Sequence, residues 1–194
     1  MKNGLYEIRE YGLTNNRVIY LIGGWGISQK VMFPVSKLLE FAGFYCIIIT
    51  LSKAILSPDM EKTIQSILNV KQYILRSIKR LTETGHQEVS LFGTSLGALV
   101  GLLVADASPH IKKVIFNIPG MDLAESIWGW DGVLSEFRSQ IVQKYHTCEA
   151  LRNNISPINT INRFSQLQGK DLLCSTYQPK TKLPETIPVY SKAP

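Results

Sequence analysis

Residues 93–97, Gly-Thr-Ser-Leu-Gly, join two apolar segments and constrain the fold more than any other part of the sequence. Residues 88–92 have the composition of a strand, and residues 95–107 have the pattern of a helix that is apolar on nearly every side. In a Gly-x-Ser-x-Gly turn, the small residues flanking the serine prevent a clash between strand and helix. The pattern predicts that Ser95 stands at the carboxyl edge of a sheet as a nucleophile. The alternative is a tight strand-to-helix turn in which the serine is incidental.

A second glycine-rich turn, Gly23-Gly24-Trp25-Gly26, follows the apolar run of residues 17–22. Glycine lets the backbone approach a substrate, and a loop at this place supplies one N–H donor of an oxyanion hole. The other donor is the N–H of the residue after the nucleophile, here Leu96. Neither a phosphate loop nor a dinucleotide fingerprint has this spacing. We therefore interpret residues 23–26 as oxyanion-hole backbone, against the alternative of glycines that only end a strand.

Strand-like and helix-like segments alternate along the chain. We predict strands at residues 4–12, 17–22, 44–50, 88–92, 113–118 and 172–176, and helices at residues 28–41, 57–84 and 95–107. Ser57 is expected to cap the second of these helices, with Pro58 as its first residue. Residues 122–154 indicate two or three short helices. The alternation predicts βαβ units, and hence an α/β fold with a mostly parallel sheet and helices on both faces.

The length of 194 residues predicts a single domain over residues 1–194. Apolar residues make up 45% of the chain and charged residues 19%, which is ordinary for a globular protein with a sizeable core. Residues 121–165 interrupt the alternation and carry several aromatic side chains. We expect a small lid or cap insertion there.

The order of elements, with Gly-Gly-Trp-Gly after the first buried strand and Gly-Thr-Ser-Leu-Gly after the third, resembles the α/β-hydrolase superfamily over residues 15–178. Residues 23–26 resemble the His-Gly-Trp-Gly oxyanion loop of small esterase-like members, with Gly23 in place of the histidine. The resemblance implies that Ser95 is the nucleophile of a serine hydrolase of the carboxylic ester class. It implies that the N–H groups of Leu96 and Trp25 form the oxyanion hole. The substrate is then a small-molecule ester or acyl compound, and no cofactor is required.

The acid of a catalytic triad is the first part of this pattern that the sequence lacks. The superfamily places the nucleophile, the acid and the histidine in that chain order. The resemblance places the acid after the strand at residues 172–176, where residues 177–184 contain no Asp or Glu and Lys180 stands near the expected position. Asp122, after an earlier strand, is a candidate substitute. Its alternative role is the N-cap of the helix that follows it.

The triad histidine is the second missing part. The chain has three histidines. His86 and His110 precede strands and so belong to the wrong edge of the sheet, whereas His146 lies in the helical region before the acid position. All three are expected at the surface. The superfamily's histidine would follow residue 194, so the fold is expected to be C-terminally incomplete, through truncation or degeneration, with weak or no activity. The alternative function is a non-catalytic α/β-hydrolase-like binding or interaction protein.

Composition and charge exclude several other classes. The three cysteines show neither a disulfide framework nor metal-ligand spacing, so no metal is predicted. The net charge of +6 is spread among acidic residues, which argues against nucleic-acid binding. No apolar run is long enough to span a bilayer, and the first residues lack the apolar region of a secretory signal. We therefore expect a cytoplasmic protein without a transmembrane segment. The sequence does not predict the oligomeric state.

Overall fold

The computed structural model describes residues 2–86, 88–117, 122–129, 135–160, 163, 167 and 169–175. These residues form seven strands: β1 (Lys2–Asn3), β2 (Tyr6–Tyr11), β3 (Arg17–Trp25), β4 (Phe44–Leu51), β5 (Glu88–Thr94), β6 (Ile111–Asn117) and β7 (Asp171–Ser175). They also form six α-helices: α1 (Gln29–Phe41), α2 (Met60–Glu83), α3 (Leu96–Ala107), α4 (Leu123–Trp128), α5 (Ser135–Tyr145) and α6 (Cys148–Asn154). Short 3₁₀ turns follow β4 (Lys53–Ile55) and α6 (Ser156–Ile158).

The described strands form one sheet in the order β1-β2-β4-β3-β5-β6-β7. The β1–β2 and β2–β4 pairs are antiparallel, whereas the pairs that join β4, β3, β5, β6 and β7 are parallel. Parallel neighbours need crossover connections, and α1, α2 and α3 are the helices that supply them between β3 and β6. The predicted α/β class and the mostly parallel sheet are confirmed.

Helices cover both faces of the sheet because β3 and β4 carry apolar side chains on both sides. Successive residues of a strand point to opposite faces, so an unbroken apolar run fills both. On one face, α1 packs over a cluster that includes Ile19, Leu21, Met32, Cys46 and Ile48. On the other face, α2 and α3 pack over the larger core, which includes Tyr20, Ile22, Ile47, Ile49 and Leu91.

Helix α3 is buried on all sides, as its composition predicts. Every residue from Leu96 to Ala105 is buried, because the helix lies between the sheet and α2. Gly101 allows the close approach to β5, since a Cβ atom at residue 101 would lie 2.5 Å from Cδ2 of Leu91. The turn at Ser95 therefore leads directly into a fully buried stretch of helix.

The start of α2 differs from the prediction that Ser57 caps it. The helix begins at Met60 with Asp59 in the N-cap position, and no side chain caps it. Ser57 is instead held by Thr63, whose hydroxyl accepts from the Ser57 N–H at 2.8 Å and donates to the Ser57 carbonyl at 3.0 Å. The Ser57 hydroxyl accepts from the N–H of Asp59 at 3.2 Å, so it closes a turn that precedes the helix instead of capping the helix itself.

The glycines expected to end β3 lie within the strand. β3 extends to Trp25, which pairs with Leu51 of β4 after a register shift beyond Ile22. Strand β5 likewise extends to Thr94, directly before Ser95. Hydrogen bonds to neighbouring strands thus fix the backbone as far as Trp25 in β3 and Thr94 in β5, next to the predicted site residues.

Three short helices, α4, α5 and α6, lie between β6 and β7, as predicted. Their buried residues Leu123, Ile127, Ile141 and Leu151 belong to the same core cluster as those of α2 and α3. Residues 121, 130–134, 161–162 and 164–165 of the expected cap lie outside the described residues. The lid or cap role of this segment stays a prediction. Among the described helices, none combines the length and the apolar character needed to cross a membrane.

Candidate active site

Ser95 occupies the turn between β5 and α3 in a backbone conformation that non-glycine residues rarely adopt. Its φ is 51° and its ψ is −123°. The Ser95 N–H donates to the carbonyl oxygen of Asn117 at 3.0 Å, and the Ser95 carbonyl accepts from the N–H of Ala98 at 2.8 Å. A non-glycine residue in a sparsely populated backbone region costs about 1–3 kcal/mol, so the surrounding structure must hold it in place.

The two glycines of the Gly-x-Ser-x-Gly turn are required by close backbone packing. A Cβ atom at Gly93 would lie 2.7 Å from the carbonyl oxygen of Gly97. A Cβ atom at Gly97 would collide with the carbonyl oxygens of Ile22 and Gly23. The first turn of α3 therefore packs directly on the end of β3, which brings the two glycine-rich segments together.

The Gly23–Gly26 segment lies beside Ser95 and is tied to β4. A Cβ atom at Gly24 would stand 3.2 Å from Cβ of Ser95. The indole Nε1–H of Trp25 donates to the carbonyl oxygen of Lys53 at 2.9 Å. Gly26, with φ of 66°, donates its N–H to the carbonyl oxygen of Leu51 at 3.1 Å. The loop that carries Trp25 is thus anchored on both its side chain and its backbone.

Ser95, Leu96 and residues 23–26 meet at the carboxyl edge of β3 and β5. Leu96 is the first residue of α3, and the first N–H groups of a helix have no partner within that helix. The positive end of the helix dipole therefore lies at Ser95 and gives this edge of the sheet a positive potential. The structure brings together three of the four predicted site residues: Ser95, Leu96 and Trp25.

Asp122, the fourth predicted site residue, is engaged elsewhere. It is the N-cap of α4, where its Oδ1 accepts from the N–H groups of Ala124 at 2.9 Å and Glu125 at 3.3 Å. Its Oδ2 accepts from Nε of Arg152 at 2.6 Å. This bond to Asp122 raises the pKa of the Arg152 guanidinium. Both carboxylate oxygens are thus occupied, and the geometry favours the capping role over the triad role.

None of the three histidines is hydrogen-bonded to Ser95 within the described residues. His86 precedes β5, and its Nδ1 lies 3.2 Å from the carbonyl oxygen of Leu81. His110 directly precedes β6, and His146 follows α5 with φ of 60°. The turn in which the triad acid was expected, residues 177–184 with Lys180, lies outside the described residues.

The cysteines are separate from Ser95 and from one another. Cys46 is buried in β4, Cys148 begins α6 and Cys174 lies in β7, and all three are free thiols. Burial raises the pKa of the Cys46 thiol to about 11. In the described part of the chain, no three His, Cys, Asp or Glu side chains form a group that could hold a metal ion.

Two residues that position the site were not predicted from the sequence. The carbonyl oxygen of Asn117 holds the Ser95 N–H, and that of Lys53 holds the Trp25 indole. Both contacts are made by main-chain oxygens, so the side-chain pattern carries no signal for them. The hydrogen bond from Ser95 to Asn117 results from the strand register, which pairs Thr94 with Asn117.

Solved structures with the same arrangement of elements share little sequence with this chain. A lipase-esterase related protein from Clostridium acetobutylicum has a TM-score of 0.51 at 18% identity, covering 88% of this chain and 90% of that one. A monoacylglycerol lipase from Paleococcus ferrophilus has a TM-score of 0.51 at 16% identity, covering 89% and 88%. An esterase from Pyrococcus furiosus has a TM-score of 0.55 at 15% identity, covering 87% and 68%. The sequence matches no protein-family model and no curated protein. At these identities the likeness concerns the fold.

Proposed function

We propose that this chain, whose fold is that of the α/β-hydrolases, is a serine hydrolase scaffold that acts on ester or related acyl substrates through Ser95. The resemblance expected from the sequence is confirmed at the level of the fold. The names of the three solved structures describe a lipase-esterase related protein, a lipase and an esterase. They support the ester class of substrate for this chain.

The observation that carries the proposal is the backbone of Ser95. A left-handed serine between β5 and a buried helix is costly, and it persists here because Gly24, Gly93 and Gly97 leave it room. A serine that only linked a strand to a helix would have no need of this conformation. Strained backbone of this kind is concentrated at functional positions.

In the proposed reaction, Oγ of Ser95 attacks the acyl carbon of an ester. The acyl group remains on Oγ, the alcohol leaves with a proton, and water later releases the acid. The N–H groups of Leu96 and Trp25 are proposed to stabilise the oxyanion of each tetrahedral intermediate. In comparable enzymes, one such donor lowers the activation free energy by about 2.7–4 kcal/mol.

The activity expected of this chain by itself is weak or absent. No histidine ring is hydrogen-bonded to Ser95 in the described chain, and an unassisted serine hydroxyl is a poor nucleophile at neutral pH. In serine hydrolases that lose the triad, the oxyanion hole and binding alone retain roughly 10³–10⁴-fold catalysis over water. Such residual reactivity is slow, so covalent labelling of Ser95 is a more sensitive measurement than an assay of substrate turnover.

A fluorophosphonate probe followed by peptide mass spectrometry tests the proposal. We expect slow, stoichiometric modification of Ser95 in the parent protein and none in Ser95→Ala. Ser139→Ala, which removes an exposed serine of α5, is the matched control and should label like the parent. If prolonged incubation leaves Ser95 unmodified while the protein is folded, the catalytic proposal is wrong.

The second candidate function is a non-catalytic α/β-hydrolase-like binding or interaction protein. The specific observation in its favour is that both oxygens of Asp122 are occupied and no histidine bonds Ser95 in the described chain. This function predicts that Ser95→Ala leaves the biological role of the protein unchanged. A clear loss of that role in Ser95→Ala would contradict it.

A further inference from the structure

A groove on the α1 face of the sheet lies between α1 and β2. Its volume is about 670 Å³, which is within the range of small-molecule sites. Residues of β2, Thr50 and Leu51 of β4, and the first turn of α1 line it. Neither Ser95 nor Leu96 lines it, but Gly26 does, so the groove adjoins the loop of the proposed catalytic site without including the proposed nucleophile.

Basic side chains line one end of this groove. Arg9, Lys30 and Lys53 face a single acidic residue, Glu7. Arg9 approaches Glu7 only to 3.6 Å, with the Arg9 side chain exposed and the Glu7 side chain 35% exposed, and such a pair contributes little stability. Lys30 and Lys53 form no ion pair with any acidic group in the described residues. This end of the groove therefore has an unbalanced positive charge.

The first turn of α1 adds to the positive potential at the same end. That turn contains no acidic residue, so the helix dipole is not compensated there. The side chain of Gln29 also lines the groove. Both amide atoms of Gln29 are shielded from solvent and make no hydrogen bond with a described residue. Burial of an amide without a partner is unfavourable, so Gln29 gains a hydrogen bond if its side chain turns toward a ligand oxygen in the groove.

Aromatic side chains line the other end. Tyr11 and Phe33 contact each other edge to face, with ring centroids 5.6 Å apart. Tyr11 lies two residues beyond Arg9 on the same side of β2, about 7 Å further along the strand. Phe33 lies one helical turn beyond Lys30. The ammonium of Lys37 lies over both rings, 5.0 Å from the Tyr11 centroid, but it is paired with Glu40 at 2.6 Å. The cations without an acidic partner and the aromatic pair are thus separated by the length of a short alkyl chain.

We propose that this groove binds an amphipathic carboxylate of short to medium chain length. The carboxylate lies among Arg9, Lys30 and Lys53, and the alkyl chain lies against Tyr11 and Phe33. Lys53 couples the groove to the nucleophile side of the sheet, because its side chain packs along Gly26 and its carbonyl accepts from the Trp25 indole. The site takes the acid that ester cleavage releases, but its existence does not depend on the proposed catalysis.

Calorimetric titration of the whole chain with octanoate tests this assignment. Octanol and octylammonium, which keep the alkyl chain and change the head group, are the comparison ligands. We expect octanoate to bind saturably and at least tenfold more tightly than either. Lys53→Gln should weaken octanoate binding about tenfold, because it removes one of the cations that hold the carboxylate. Lys79→Gln, an exposed substitution on α2, is the matched control and should bind like the parent.

The aromatic end is tested by Phe33→Ala, which should weaken octanoate binding more than butyrate binding. Circular dichroism establishes that each variant is folded. Octanol binding as tight as octanoate binding, or full affinity in a folded Arg9→Gln/Lys30→Gln/Lys53→Gln variant, overturns the proposal. So does the absence of saturable octanoate binding in the millimolar range. None of these readouts needs turnover, so a failure here is distinct from a failure of the Ser95 labelling experiment.

Discussion

The backbone of Gly24 lies directly against Ser95: a Cβ atom on residue 24 would stand 3.2 Å from the Cβ atom of Ser95. The same atom would lie 3.0 Å from Cδ1 of Ile27 and 3.3 Å from the carbonyl oxygen of Thr94. The backbone of the Gly23–Gly26 loop therefore lies directly against the side chain of Ser95. The position of Ser95 thus depends on the absence of a side chain 71 positions earlier in the sequence.

Gly24→Ala should separate these two segments. The added methyl group forces a shift of the loop or the turn, and overpacking of this kind costs about 1–3 kcal/mol. We expect a lower free energy of unfolding in urea and a loss of Ser95 labelling by the fluorophosphonate probe. Gly4→Ala is the control, since nothing lies within 4 Å of its Cβ position, and it should change stability by less than about 0.5 kcal/mol. Equal labelling of Gly24→Ala and the parent would contradict the proposed role of the loop.

Ser95→Gly should make the protein more stable than Ser95→Ala does. Both variants lose the nucleophile, but alanine keeps the strained backbone at φ of 51°, whereas glycine adopts positive φ at no steric cost. After the entropic cost of glycine in the unfolded chain is subtracted, the expected difference is about 1 kcal/mol. Chemical denaturation of the two variants measures it. A more stable Ser95→Ala would show that the turn stores no strain.

Tyr20 and Ser77 form a buried hydrogen bond of 2.8 Å between β3 and α2. Burial raises the pKa of the Tyr20 phenol, so the hydroxyl is protonated at neutral pH and serves as a hydrogen-bond donor. Tyr20→Phe and Ser77→Ala should each cost about 1–2 kcal/mol, because each leaves the other hydroxyl buried without this partner. The double variant should cost less than the sum. A double-mutant cycle with no coupling energy would show that the bond contributes nothing.

The strands and helices of this fold could be predicted where consecutive residues carry the signal. The apolar composition of β3 and of α3 is visible in the sequence and indicates burial on all sides. The start of α2 could not be read from the Ser57-Pro58 pair, because a cap depends on where Thr63 folds back. The residues that hold Ser95 and Trp25 are main-chain groups set by strand register, and single-sequence patterns carry no record of register.

The partner of Asp122 shows the same limit. The sequence offers two roles for this carboxylate, a triad acid and an N-cap, and cannot choose between them. Arg152, thirty positions further on, decides the matter only because α6 packs beside α4. The residues next to Asp122 in the sequence therefore indicate its possible roles, whereas the packing of α6 against α4 determines which role it has.

Asp122→Asn and Asp122→Ala separate these two roles. Asparagine keeps an oxygen that can cap α4, whereas alanine removes it, so we expect Asp122→Ala to lose about 1–2 kcal/mol and Asp122→Asn to lose less. If Asp122 only caps α4, both folded variants should label at Ser95 at the parent rate. A loss of labelling in folded Asp122→Asn would restore Asp122 as the acid of the catalytic site.

Titration of the Cys46 thiol should make the free energy of unfolding depend on pH in alkaline solution. Burial in β4 raises the pKa of this thiol from 9.0 to about 11, so the folded state keeps the proton over a range in which the unfolded state loses it. The stabilising contribution is complete below pH 9 and is lost as the pH rises to 11. Cys46→Val removes the titration and keeps an apolar side chain of similar size. We therefore expect the free energy of unfolding of the parent to fall relative to that of Cys46→Val between these pH values, measured in urea under reducing conditions. A difference between the two proteins that stays constant across this range would contradict the burial of a protonated thiol at residue 46.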